Sequence, residues 1–243
     1  MTKVKTIASS DSVHDDRQGQ SALGGLLSRR VRWGLSRRGW LAAGLCLVGT
    51  VSATVWFLHS FLAVTAPVPS DVLVVEGWLP NDALKCAIAE YRSHPYRMIV
   101  CTGGPFRSSI QPELGDTYAH SAAYRFEKLG IAREEIRIVP SRNSDLDRTF
   151  AAAAALRLWA DKQPAGLSSF NLVTLGVHAR RSRLLYQKAF GNGANVGIIA
   201  IRDSDYDPNA WWKYSEGTKS VVEELIGYIY ARFFFRKANE SVR

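Results

Sequence analysis

Four ionisable side chains fall within six positions, His178, Arg180, Arg181 and Arg183, directly after an apolar run and Gly176. That order predicts a buried strand through Leu172, Val173 and Leu175, a turn at Gly176 and then a helix. A helix start presents N–H groups without intrahelical partners and the positive end of the peptide dipole, so it favours an anion. His178 adds a side chain that titrates near neutrality, suited to acid–base work or to binding phosphate. The competing reading is a solvated, basic helix face. Glu76 closes another apolar run, in Glu76-Gly77-Trp78, as a general base, a ligand acceptor, a metal ligand or simply an arginine's partner. Thr102-Gly103-Gly104 ends a third run, and its glycines would let the backbone approach phosphate oxygens. Arg148 and Thr149 open a further helix, next to Asp145 and to Asp147, which is placed to cap it.

The elements that must position these residues alternate along the chain. Strands are expected at 72–75, 98–101, 136–139, 172–174 and 196–201, short apolar-rich runs of which 72–75 is unbroken, as in a sheet buried on both faces. Helices are expected at 83–91, 116–129, 147–159, 179–189 and 218–235. This alternation predicts an α/β domain, a doubly wound, mostly parallel five-stranded Rossmann-like sheet preceded by one transmembrane helix. In the common strand order 3-2-1-4-5, the first and fourth strands are neighbours, and ligands bind at the crevice where the chain reverses. The three turns named above would meet there.

Charge and hydropathy divide the chain. The net charge of +9 includes eight Lys and Arg against three Asp and Glu in residues 1–39, and none of these four residue types occurs in 40–66. Residues 1–39 lack periodicity and are expected to be a disordered basic cytoplasmic tail, ending in Arg29, Arg30, Arg32, Arg37 and Arg38. Residues 40–66 are long enough to cross a bilayer, with Trp40 and Trp56 as interface aromatics. An uncleaved anchor is expected over a signal peptide, because the tail and the apolar run are both long and Pro67 would sit at the cut. The basic cluster keeps the N-terminus cytoplasmic and puts the rest outside. Residues 67–70 read as a linker, 71–237 as the α/β domain and 238–243 as a tail. Much of the basic excess is topogenic, so no nucleic-acid partner is expected.

Cys86 and Cys101 suggest two buried thiols more than a disulfide, and no cysteine spacing of metal-binding type occurs. Asp203, Asp205 and Asp207 lack the later residues of a calcium loop. Neither a GxGxxG run after the first strand nor a GxxxxGK[ST] loop, a GxSxG elbow or an HExxH helix is present, and no cofactor is indicated. In the last helix, Ile226, Ile229, Tyr230 and Phe233 share helical spacing and are expected to pack on the sheet. Phe233-Phe234-Phe235-Arg236-Lys237 puts aromatics beside cations, which suits a bilayer interface, the alternative being a core or frayed helix end.

Strand one, Thr102-Gly103-Gly104, Val173-Thr174-x-x-x-His178-x-x-Arg181 and Glu224-Leu225-Ile226-Gly227 together resemble the YdcF/SanA/ElyC family over most of 71–230. The resemblance implies a Rossmann-like, often membrane-anchored extracytoplasmic domain. It further implies a role in bacterial envelope biogenesis and the lipid carrier of peptidoglycan precursors, and adds Thr174 to the ligand set. The chain departs from the family at Glu76-Gly77-Trp78, where a glycine-rich turn is usual, and near Tyr118, where an acidic residue is usual. It departs again at 148–152, where only Thr149 of an Asn-Thr-x-Glu-Asn run is kept. Carboxylate-dependent steps of relatives are therefore not carried over. The expected ligand is a phosphorylated small molecule or a polyprenyl-phosphate-linked species, held by Gly77, Trp78, Thr102, Gly103, Gly104, Arg148, Thr149, Thr174, Gly176, His178, Arg180 and Arg181. Glu76 and His178 are the candidates for chemistry. The alternatives are a nucleotide- or adenosylmethionine-binding module and a structural envelope protein acting through partner contacts.

Overall fold

A computed structural model describes residues 21–22, 27–28, 35–106, 115–142 and 147–235. The expected basic tail falls mostly outside these residues, as do Asp145, Arg236, Lys237 and 238–243. The chain forms two compact units, Met1–Gly49 and Thr50–Arg243. In the first, Ser21–Ala22 pairs antiparallel with Leu27–Ser28, a short ladder in a stretch whose sequence shows no periodicity.

Helix α1, Arg37–Leu62, is long and apolar enough to cross a membrane. Leu41, Leu45, Leu47, Val48, Val51 and Phe57 are all exposed, an arrangement that water disfavours and hydrocarbon does not. The helix stops four residues before the end of the uncharged run.

The second unit is built on five strands, β1 Val72–Glu76, β2 Met98–Gly103, β3 Ile136–Pro140, β4 Ser169–Leu175 and β5 Asn195–Ile201. They lie in the order β3-β2-β1-β4-β5, all parallel, with Leu73 opposite Asn171 and Val75 opposite Val173 across the central pair. Side chains alternate across each strand, so the unbroken run of β1 serves two cores. Leu73 and Val75 pack with Leu84, Ala87 and Ile88 of α2 (Asn81–Ser93) and Ala122, Ala123 and Phe126 of α3 (Tyr118–Lys128). Val72 and Val74 pack with Ala153 and Leu156 of α4 (Arg148–Ala160) and Ala179, Tyr186 and Phe190 of α5 (Ala179–Phe190). Helices therefore cover both faces, and the sheet reverses its winding between β1 and β4.

Residues 67–70 are no free linker. The edge of β5 presents N–H and C=O groups that need partners. Ala66 supplies them in an antiparallel bridge to Ile198, and Val68 exchanges two hydrogen bonds with the Asn171 side chain at 2.8 and 2.9 Å. The domain thus begins upstream of Asp71. Cys101 is buried, Cys86 exposed, and both are free thiols.

The last helix corrects an expectation. Helix α6, Ser215–Ile229, runs on into a π turn, Tyr230–Phe234, rather than ending as one α-helix near Phe235. Ile226, Ile229, Tyr230 and Phe233 are exposed, Phe233 by 73%. Gly217, Val221 and Ala231 are buried instead, with Leu225 and Tyr228 half-buried. The inward face is chosen by where small side chains admit close approach and where Glu224 finds a cation, and apolar spacing alone does not encode either.

Candidate functional site

The carboxyl ends of β1, β2, β3 and β4 open onto a cavity of about 590 Å³. Its lining includes Glu76 at the end of β1, Trp78 just after it, His178 in the turn before α5 and Arg181 in the first turn of α5. It also includes Thr102 and Gly103 at the end of β2, Gly104 after it, Ser141 and Arg142 after β3, and Asp147, Arg148 and Thr149 at the start of α4. Glu223 and Glu224 of α6 complete the lining.

Local geometry follows from sequence at each turn. Gly77 donates its N–H to the Thr102 carbonyl at 2.7 Å, drawing the β1 and β2 ends together. A Cβ there would stand 2.9 Å from that carbonyl and would collide with the Tyr118 carbonyl, so only glycine fits. Asp147 caps α4 by accepting from the Phe150 N–H at 2.9 Å. A 3-10 turn, Gly176–His178, leads into α5. From it, His178, Arg181 and Ser182 project toward the sheet and cavity, as positions three and four apart on a helix must.

Glu76 is almost fully buried and accepts three hydrogen bonds, from the Thr174 hydroxyl at 2.5 Å, Ser182 at 3.0 Å and the Trp78 indole at 3.2 Å. Both carboxylate oxygens are thereby engaged. His178 is held from the other side. Its Nδ1 stands 2.7 Å from Glu224 Oε1, which as a carboxylate oxygen can only accept, and 3.1 Å from Arg181 Nη2. Arg181 donates to both oxygens of the same carboxylate, at 2.7 and 3.0 Å, and its far nitrogen is 3.8 Å from Asp147. Gly227, one turn beyond Glu224, makes room for this, since a Cβ there would stand 2.9 Å from Arg181 Cδ.

The electrostatics follow. Burial alone would raise the Glu224 carboxyl, but His178 and Arg181 reverse this and hold it down at about 2. Burial likewise works against the Arg181 charge, and Glu224, Asp147 and Glu76 together lift its pKa above the ordinary value.

His178 Nε2 is the exception in this network. It is buried and has no hydrogen-bond partner among the described residues, and Glu76 Oε2 lies 3.7 Å away, beyond hydrogen-bond reach. Trp78 meets the imidazole edge-on at 5.2 Å. A buried polar atom left unpaired costs about 1–3 kcal/mol, so an orphan on a cavity wall points to a ligand contact.

The residues expected at the site divide. Glu76, Trp78, Thr102, Gly103, Gly104, Arg148, Thr149, His178 and Arg181 line the cavity. Gly77, Thr174 and Gly176 do not. Gly77 joins the strand ends, Thr174 orients Glu76, and Gly176 makes the turn at a φ of +44°. Arg180 is elsewhere, against the expectation: it donates to the Phe61 carbonyl and stacks on the Phe61 ring at 4.0 Å. Adjacent helical positions diverge by about 100°, so Arg180 and Arg181 cannot both reach the cavity. Arg183 is also turned away, donating to the Val196 carbonyl at 2.9 Å. The expectation missed Ser141, Arg142, Ser182 and Glu223, and named Glu224 only within a resemblance. Ser182 was legible as the position four after His178.

Fold and cavity together define a doubly wound α/β domain with its crevice at the switch point between β1 and β4. Compared with protein-family models and with curated proteins, the chain finds no match.

Proposed function

We propose that this chain is a single-pass protein of the bacterial plasma membrane whose α/β domain, outside the cytoplasm, binds an anionic ligand of phosphate or pyrophosphate type in envelope biogenesis. The observation that carries the anion reading is the unpartnered His178 Nε2 on the cavity wall. Three of the four acids that line the cavity are already engaged. Glu224 is paired with Arg181 and His178, Asp147 is turned to the α4 backbone and Arg181, and Glu76 accepts three hydrogen bonds. Arg142 and Arg148 are exposed cations of the lining, near the Gly103-Gly104 backbone and the start of α4, where the helix dipole favours negative charge. A phosphate group placed against Nε2 brings its other oxygens to Arg148 and Thr149. The carboxylate–imidazole pair also satisfies the geometric need of general acid–base chemistry on such a ligand. Envelope function, the polyprenyl-phosphate class and the compartment rest on the resemblance noted from the sequence and on the basic cluster preceding α1.

Heat stability of the full-length protein in detergent, together with a reporter fused after Arg243 in cells, tests this reading. Inorganic pyrophosphate and a short polyprenyl phosphate raise Tm, nucleotides and adenosylmethionine do not, and the reporter reads outside the cytoplasm. Protection by nucleotides alone, or a cytoplasmic reporter signal, refutes it.

A further inference from the structure

The outer face of α6 and its π turn exposes six apolar side chains, Val222, Ile226, Ile229, Tyr230, Phe233 and Phe234. At 100° per residue, Val222, Ile226 and Ile229 fall within about 60° of one another along α6, and exposed Phe233 follows in the π turn. Contiguous apolar surface of this kind marks an interaction site.

The last turns of α1 identify what covers it. Leu225 and Tyr228, on the side of α6 next to the stripe, join Val55 and Leu58 around the buried Leu62. Phe61 meets Tyr228 edge-to-face at 5.6 Å, and Trp56 lies 5.9 Å from Trp212. A helix of about 20 residues spans the hydrocarbon core, so an α1 that enters it near Trp40 leaves it near His59. Val55, Leu58 and Phe61 then stand at the boundary, and α6, which packs against them, lies at headgroup depth. Trp56 and Trp212 match the aromatic belt of such a boundary. Arg180, stacked on Phe61, and exposed Arg232 place cations where lipid phosphates are.

We propose that this stripe sits in the headgroup–acyl boundary of the bilayer that α1 crosses, so that α6 is a second membrane contact of the domain. It rests on the anchoring in the function proposed above. Its consequence is positional. Glu223 and Glu224, on the same helix, line the cavity, so docking α6 holds the cavity mouth beside the headgroups.

The test is photocrosslinking of the full chain in nanodiscs of phosphatidylcholine and phosphatidylglycerol. Benzoylphenylalanine is introduced in separate variants at Ile226, Phe233, Val48 of α1, and Glu134, which is exposed just before the far edge strand β3. These side chains are already exposed, so the substitutions leave the core intact. Lipid adducts form at Val48, Ile226 and Phe233, the last two about tenfold above Glu134, as burial of about half an aromatic ring implies. Adducts at Val48 with only the Glu134 background at Ile226 and Phe233 overturn the docking and leave the anchor standing. A protein–protein adduct at Phe233 in place of lipid overturns it in favour of a second copy of this chain. Absence of lipid adducts at Val48 overturns the anchoring, and the docking with it.

Discussion

Glu224→Gln destabilises the protein by about 3–5 kcal/mol at neutral pH, the cost of leaving one member of a buried ion pair uncompensated. Total stability of a domain is about 5–15 kcal/mol, so this is among the largest effects a single substitution can have here. The amide keeps the shape of the side chain but loses the charge that Arg181 and His178 both face. The dependence on pH distinguishes this cause from lost packing. Glu224 has its carboxyl held at about 2 in the folded chain, against 4.5 as its ordinary value. A depressed folded value stabilises fully above the unfolded value, and the contribution disappears as pH falls through the folded one. Over that interval it amounts to about 3 kcal/mol. Denaturant unfolding therefore shows a wide gap between wild type and Glu224→Gln above pH 5, closing as pH falls toward 2. A gap that stays constant with pH would mean that packing, not charge, is lost. Glu223→Gln, at an exposed neighbour, changes stability by less than about 0.5 kcal/mol.

His178→Gln weakens binding of inorganic pyrophosphate by about 10- to 100-fold, the loss of one charge-assisted hydrogen bond of about 1.5–3 kcal/mol. The substitution removes Nε2, which has no hydrogen-bond partner among the described residues. Arg180→Ala leaves affinity unchanged, because Arg180 is spent on the Phe61 carbonyl and ring. Calorimetric titration of both variants checks the pair. Equal losses would mean that the anion meets the outer basic face of α5 and not the cavity.

What the sequence revealed and concealed has a common physical basis. The β1 run Val72, Leu73, Val74 and Val75 is apolar on both faces, and only a covered parallel strand tolerates that, so the sheet and its winding were legible. Strand β4 was expected to begin at Leu172 because Ser169 and Asn171 are polar. It starts at Ser169, since Asn171 turns its amide to the Val68 backbone and needs no water. The turns at Glu76, Gly103 and His178 were legible because each ends an apolar run. The loop carrying Ser141 and Arg142 likewise follows an expected strand, and its place in the cavity comes from β3 lying next to β2. Which of two adjacent arginines turns inward depends on a partner from far along the chain, Glu224, and on Gly227 beside it. The face of α6 was misjudged for the same reason. Periodicity locates a stripe, and only tertiary contacts tell whether the stripe faces core, water or lipid.

The central claim, that the cavity between β1 and β4 holds a phosphate group on His178, is tested most directly by a structure of the full-length protein crystallised with inorganic pyrophosphate. The account predicts one phosphate within hydrogen-bond distance of His178 Nε2 and the other against Arg148 and the Gly103-Gly104 backbone. Pyrophosphate bound at Arg180 or Arg183 while His178 Nε2 stays unpartnered would contradict it.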